Sequence, residues 1–386
     1  MDTMQRPIYL DYAATTPVAP EVAGAMQACL TFDGRFANPA SRTHQYGWEA
    51  EESVEMARIA VAELIEAQPR DLVWTSGATE ANNLALKGFM QAQGSGHLVV
   101  SATEHKAVLD TARWLATQGF ALTEVAPDAS GVVSSDAIAE ALTSETRLVS
   151  IMMVNNEVGT INDIENIAKV CAQHRVALHV DAVQALGRLP VSVQQIPITL
   201  MSLSAHKMYG PKGIGALYMN GGQAPQLFAQ IHGGGQERGL RAGTLAPHQC
   251  VGMGEAARLA KQLLAEDGSR IATLRDLLWE GIADLPGVVR HGNPAQTVCS
   301  HLNVGFSGLD GETLLMALSR LAVSTGSACN SAHLAPSFVL RAMGVSADLA
   351  LSSVRFSLGR FTTEQEIKTA IDHIRDVVFS LHQATV

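Results

Sequence analysis

His179-Val180-Asp181-Ala182-Val183-Gln184, followed after a short connection by Ser202-Leu203-Ser204-Ala205-His206-Lys207-Met208-Tyr209-Gly210-Pro211-Lys212-Gly213-Ile214-Gly215, is the stretch on which the fold turns. Each half is a short apolar run that ends in polar residues. The first run ends on an acid, and the second on a lysine flanked by serine, histidine and glycine, 26 residues later. Unbroken apolar runs of this kind suit strands buried on both faces of a sheet.

The pattern extends in both directions. Strand-like runs occupy residues 72–76, 97–101, 148–154, 176–180, 198–203 and 214–219, and helical periodicity fills the intervals from about Thr79, over 107–118 and over 164–174. Strands alternating with helices predict an α/β fold with a largely parallel central sheet flanked by helices. Beyond Pro247 the rhythm changes. A helical pattern over 251–285, interrupted at Gly254 and Gly268, reads as an arm leaving the sheet. It is followed by strand-like stretches at 298–306 and 354–358, a helix from Glu312 to about Leu321, and a last helix opened by the capping box Thr363-x-x-Glu366. A large α/β unit spanning 16–255 and a smaller α+β unit made of 1–15 plus 256–386 are expected.

The 386 residues carry a net charge of −10, with 47% hydrophobic and 17% charged residues. That balance excludes a disordered chain and speaks against binding nucleic acid or membrane through a basic surface. The N-terminus lacks the basic-then-apolar order of a secretory signal, and no apolar run is long enough to span a bilayer. Five cysteines, Cys29, Cys171, Cys250, Cys299 and Cys329, stand far apart with no C-x-x-C pair. A disulfide framework or a metal site is therefore not expected, and a reducing, cytoplasmic setting fits.

In such a sheet, ligands bind beyond the carboxyl ends of the strands. There the sequence places Ser76-Gly77-Ala78-Thr79-Glu80, Asn155-Asn156, Asp181 and Ser204-Ala205-His206-Lys207. The first opens a helix, where free backbone N–H groups and the helix dipole suit a phosphate. Neither a P-loop nor a G-x-G-x-x-G motif is present, so a nucleotide is a poor fit. A cofactor with one phosphate, a ring nitrogen that wants an acid and an aldehyde that wants a lysine fits well, and pyridoxal phosphate has those three handles. Lys207, desolvated at a strand end, suits a Schiff base. Asp181 would also suit a strand-end turn. His105 either begins a helix or offers an aromatic face to a flat ring.

Cys329, in Ser324-Thr325-Gly326-Ser327-Ala328-Cys329-Asn330-Ser331, differs from the other four cysteines because its neighbours are small and polar, as in an accessible loop. The other four read as small buried hydrophobes.

These residues, with Tyr9-Leu10-Asp11-Tyr12-Ala13-Ala14-Thr15-Thr16-Pro17, Asn38-Pro39-Ala40-Ser41, Glu104-His105-Lys106, Asn155-Asn156-Glu157-Val158-Gly159, the glycine-rich stretch 233–244 and Val354-Arg355-Phe356-Ser357, make the chain resemble the pyridoxal-phosphate-dependent cysteine desulfurases of the class V aminotransferase superfamily, fold type I. The resemblance runs from residue 9 to about 366 and is nearest the housekeeping iron–sulfur-cluster type. It implies that Lys207 carries the cofactor, that Asp181 pairs with the ring nitrogen and that His105 stacks on the ring, with Gln184 and Asn156 near its hydroxyl. Ala78, Thr79, Ser204 and His206 would hold the phosphate, joined by Thr244 of a partner subunit, so a homodimer is implied. Asn38 and Arg355 would bind the substrate carboxylate.

The implied reaction converts L-cysteine to L-alanine. Lys207 moves the α-proton, His105 serves as acid/base, and Cys329 takes the sulfur as a persulfide for an acceptor protein, an iron–sulfur scaffold or a tRNA or DNA thiolation protein. An unperturbed thiol, with a pKa of about 8.5, would need activation. The loop departs from the usual Ser-Ser-Gly-Ser-Ala-Cys-Thr-Ser pattern at two small polar positions. The chain also ends at Val386, short of the scaffold-docking tail expected of the type, which favours a specialised acceptor. A selenocysteine lyase or an aminotransferase on the same fold is the near alternative, and a non-catalytic sulfur carrier is the distant one.

Overall fold

The structure is a computed structural model that describes residues 6–223, 225–325 and 335–384. Twelve strands are present among them: β1 (Ile8–Tyr9), β2 (Leu72–Thr75), β3 (His97–Ser101), β4 (Ala121–Val125), β5 (Thr146–Met152), β6 (Ala177–Asp181), β7 (Leu200–Ser204), β8 (Gly215–Met219), β9 (Val288–Arg290), β10 (His301–Phe306), β11 (Leu321–Ala322) and β12 (Ser353–Ser357). Seven form the central sheet in the order β2-β8-β7-β6-β5-β3-β4. Neighbours from β7 to β4 are parallel, and β8 runs antiparallel to both β7 and β2.

Alternate residues of each strand feed different cores, as a two-sided buried sheet requires. Val99, Val149, Ile151 and Trp74 pack into one apolar cluster, whereas Leu98, Val100, Leu148 and Val73 pack into the cluster on the opposite face. Helix Lys106–Thr117 turns Val108, Leu109, Ala112 and Leu115 into the second cluster. Helix Ile164–Gln173 turns Ile164, Ile167, Ala168 and Cys171 into the first. The edge strand β4 was not anticipated. It is mostly half-exposed and carries Thr123 and Glu124, so it lacks the apolar run that marks its neighbours.

The predicted arm is one unbroken helix, Pro247–Ile282, of 36 residues. Its first half packs on the central sheet's first core through Cys250, Met253, Ala256, Ala257 and Ala260, and its second half supplies Ile271, Leu274, Leu278 and Ile282 to a separate core. That second core is closed by the antiparallel sheet β12-β10-β9, with Phe306 and Phe356, by Leu10 from the N-terminal segment, and by Ile367 and Ile374 from helix Glu364–Ala384. The capping box forms as expected, with Glu366 N–H donating to Thr363 Oγ1 at 3.2 Å and Thr363 N–H donating to Glu366 Oε2 at 2.8 Å. The helix predicted to reach Leu321 is shorter, Gly311–Ala317, and Leu321 instead enters β11, paired with β1.

The two glycines that seemed to interrupt the arm have different surroundings. A Cβ on Gly254 would stand 2.7 Å from the Cα of Ala57, where helix Gln45–Leu64 crosses, whereas a Cβ on Gly268 meets nothing within 4 Å. Alanine gains about 1 kcal/mol over glycine in a helix interior, but overpacking against backbone costs about 1–3 kcal/mol. Gly268→Ala should therefore raise the thermal unfolding midpoint and Gly254→Ala should lower it, as differential scanning calorimetry of the two variants would show.

Candidate active site

The carboxyl ends of β2, β3, β5, β6 and β7 open on one cavity of about 690 Å³. Its wall includes Ala78, Thr79, His105, Asn156, Asp181, Gln184, Ser204, His206, Lys207 and Arg355. Thus ten of the residues selected from sequence converge on one space, although the first and last of them, Ala78 and Arg355, lie 277 residues apart in the chain. Asn38 and Thr244 are exposed and do not line this cavity within the single chain. Cys329 lies outside the described residues, while Ser324 and Thr325 at the near end of its segment line the cavity.

Asp181 is the last residue of β6 and is 5% exposed. Its Oδ1 accepts from Val183 N–H at 3.0 Å and its Oδ2 from Asn82 Nδ2 at 2.9 Å. The strand-end turn and the cavity-facing carboxylate are thus the same arrangement, and the turn fixes the acid's direction. Lys207 closes the single helical turn Ala205–Lys207 after β7. Its Nζ donates to the carbonyl oxygens of Ala13 and Ala14, both at 2.6 Å. Burial pushes the Lys207 amine down to about 7, helped by Arg355 and Arg188 and opposed by Asp11 and Asp181. An amine so placed is substantially neutral at physiological pH, which a nucleophile or base requires.

His105 is the N-cap of helix Lys106–Thr117, and its Nδ1 accepts from Ala107 N–H at 3.1 Å. That bond leaves the proton of the neutral ring on Nε2. Desolvation by the surrounding cavity wall lowers its pKa, with Asp181 opposing. His206 has its Nδ1 within 3.1 Å of Thr15 Oγ1, and burial, then Lys207 and Lys212, depress it to about 4. Both imidazoles are therefore neutral at pH 7.

Behind the cavity wall, next to the wall residues His105 and Asn156 in the chain, lie two buried carboxyl groups that the sequence did not single out. Glu104 is fully buried, and its Oε1 accepts from Met152 N–H at 2.5 Å. Burial, then the neighbouring Asp181, hold its pKa well above the usual carboxylate range. Glu157, pushed up to about 7 by burial, accepts from Ser337 Oγ at 2.5 Å. A third carboxyl group, that of Asp11, does line the cavity, and it pairs with Arg355. A glutamate inside Thr-Glu-His or Asn-Asn-Glu reads as an ordinary surface charge, and only its burial sets it apart.

These residues fit pyridoxal phosphate. The side-chain oxygens Asn156 Oδ1 and Gln184 Oε1 are buried without a hydrogen-bond partner among the described residues, and both residues face the cavity. Polar atoms left this way at the wall of a cleft suit a polar guest. At the other end, Gly77 adopts a φ of +150° at the start of a helical run, residues 78–93, and a Cβ there would meet nothing within 4 Å. That backbone leaves the N–H groups of Ala78 and Thr79 open to an anion.

The sequence model of the aminotransferase class-V family matches residues 8–369. The cysteine desulfurase IscS of Shewanella sediminis (strain HAW-EB3) is 54% identical over 383 residues, covering 98% of this chain and 95% of that protein. Among solved structures, a NifS-like protein superposes with a TM-score of 0.91 at 34% identity, over 97% of this chain and 100% of its own. SspA in complex with cysteine superposes with a TM-score of 0.82 at 37% identity, over 92% of this chain and 100% of its own.

The depressed Lys207 can be measured without any ligand. In competitive acylation of the unloaded chain, Lys207 should gain reactivity as pH rises through about 7 and level off above it, because the group loses its proton there. Reactivity still climbing at pH 10, as for an ordinary lysine of pKa about 10.4, would show that burial does not perturb it.

Proposed function

We propose that this chain, which belongs to the class-V aminotransferase family and within it to the pyridoxal-phosphate-dependent cysteine desulfurases, releases sulfur from L-cysteine with Lys207 as cofactor anchor and proton carrier and Cys329 as sulfur acceptor. The observation that carries the residue roles is the half-buried, desolvated Lys207 amine just after β7, facing the same cavity as Asp181 at the end of β6.

Bound in this cavity, pyridoxal phosphate supplies an electron sink for the pair left on the substrate's α-carbon when its proton departs. Asp181, held by Asn82 and Val183, is the acid for the ring nitrogen. His105 gives the ring a stacking face, and Asn156 and Gln184 meet its hydroxyl. Ala78, Thr79, Ser204 and His206 hold the phosphate. Thr244 is exposed on its own chain and would complete that set in a partner subunit, which makes the working form a homodimer.

Arg355 recognises the substrate carboxylate, since its planar fork matches a carboxylate; Asn38 would assist it across the assembled site. Lys207 Nζ, neutral near pH 7, takes the α-proton and returns a proton later. His105 carries a proton at Nε2 and serves the substrate thiol. The Cys329 thiol attacks the substrate sulfur, so that an S–S bond forms as the Cβ–S bond breaks. The bond pair stays with carbon, which is protonated to give L-alanine, and Cys329 is left as a persulfide.

The persulfide then passes to an acceptor protein, an iron–sulfur scaffold or a tRNA or DNA thiolation protein, in the cytoplasm. The chain divides for this work into a cofactor unit, 16–255, and a smaller unit, 1–15 plus 256–386, that carries Cys329.

Mass spectrometry of the protein after incubation with L-cysteine under non-reducing conditions should find Cys329 heavier by about 32 Da, one sulfur atom. Cys329→Ala should lose sulfur release while keeping the absorbance of bound cofactor. Sulfur release by that variant at the parent rate would contradict the assignment of Cys329.

A further inference from the structure

Asp11 stands where three chain segments meet. Strand β1 pairs parallel with β11, with Tyr9 opposite Ala322, and two residues further along each strand are Asp11 and Ser324. Ser324 is in turn bridged to Arg355: Arg355 N–H donates to the Ser324 carbonyl at 2.7 Å, and Ser324 N–H returns the bond at 3.4 Å. Asp11 is bridged to Ser357 on the same strand, and Ser357 N–H donates to the Leu10 carbonyl at 2.8 Å. The backbone therefore fixes the three residues before any side chain acts.

The side chains then join them. Asp11 Oδ1 accepts from Arg355 Nη2 at 2.8 Å, and Asp11 Oδ2 accepts from Ser324 Oγ at 2.9 Å. Arg355 Nη1 donates to the Asn156 carbonyl at 2.8 Å, so the plane of its guanidinium is set from two sides. The ion pair is largely out of water, with side-chain exposures of 9% for Arg355 and 18% for Asp11. A pair placed this deep costs desolvation that its attraction barely repays, so it adds little stability. Geometry is what it provides. In the chain, Ser324 precedes Cys329 by five residues.

We infer that Asp11 is a positioning residue for the reaction: one carboxylate aligns Arg355 for the substrate carboxylate through Oδ1 and holds Ser324, at the root of the Cys329 segment, through Oδ2. The inference rests on the roles proposed above for Arg355 and Cys329. The carbon end and the sulfur end of one cysteine molecule are thereby referred to the same side chain. A shift of either contact alone disturbs one event, and loss of Asp11 disturbs both.

The test compares Asp11→Ala, Asp11→Asn and Ser324→Ala as cofactor-loaded protein. Two quantities are measured, the affinity for L-alanine read from the cofactor's absorbance change and kcat for sulfur release from L-cysteine. Hydrogen bonds to charged groups set the scale, about tenfold or more for each lost contact. Asp11→Ala should weaken L-alanine binding and lower kcat, each by about tenfold or more. Asp11→Asn, which keeps an acceptor for Arg355 and a group for Ser324, should recover most of both. Ser324→Ala should lower kcat while leaving L-alanine affinity within about twofold.

If Asp11→Ala changes only the thermal midpoint, with affinity and kcat as in the parent, Asp11 is merely structural and the inference falls. If Asp11→Ala does not fold, Ser324→Ala with parental kcat overturns the link to the sulfur step. A parent protein that binds L-alanine but releases no sulfur from cysteine would contradict the desulfurase roles instead. The L-alanine measurement would then still decide whether Asp11 aligns Arg355.

Discussion

Burial of one amine, that of Lys207, is the constraint on which the site depends. Water would favour the ammonium form, and removing that water at the end of β7 brings the group down to about 7. Two arginines, Arg355 and Arg188, push the same way, and two acids, Asp11 and Asp181, push back. The balance leaves an amine that is held by two carbonyls and can be neutral at physiological pH. A more exposed lysine would remain charged, and one closer to Asp181 would be trapped as half of an ion pair. The sheet supplies the middle position, because β6 and β7 are adjacent and parallel and deliver the acid and the lysine at the same end.

The second organising element is the N-terminal segment, which stitches the two cores together. Leu10 belongs to the core of the small antiparallel sheet and Tyr12 to the core of the large one. Between and beyond them, Asp11 meets Arg355 and Ser324, while the carbonyls of Ala13 and Ala14 meet Lys207 and that of Ala13 also accepts from Gln184. Seam residues thus serve as cavity wall. The long helix Pro247–Ile282 performs the matching structural task from the outside, since its two halves are packed in the two different cores.

Much of this was legible in the sequence, for a physical reason. Strands buried on both faces are continuous apolar runs, and the polar residues ending them must lie where a parallel sheet binds ligands. Asp181, Lys207, His206, Asn156 and Ala78 were found that way or through the family resemblance, and they share the cavity wall. The edge strand β4 was missed because one exposed side dilutes its apolar pattern. The helix Pro247–Ile282 looked interrupted because glycine is permitted wherever another helix comes close, as at Gly254. Asp11 at the cavity wall and Glu104 and Glu157 behind it were overlooked because what sets them apart is burial and partners far away in the chain, which no local pattern records. Arg355, for instance, meets Asp11 across 344 residues.

The central claim is that burial selects Lys207 as the cofactor's anchor, and a second lysine, Lys212, lines the same cavity. Borohydride reduction of the cofactor-loaded protein followed by peptide mapping distinguishes the two directly. The account predicts the reduced cofactor on Lys207 alone. Label on Lys212, or divided between the two, would contradict it.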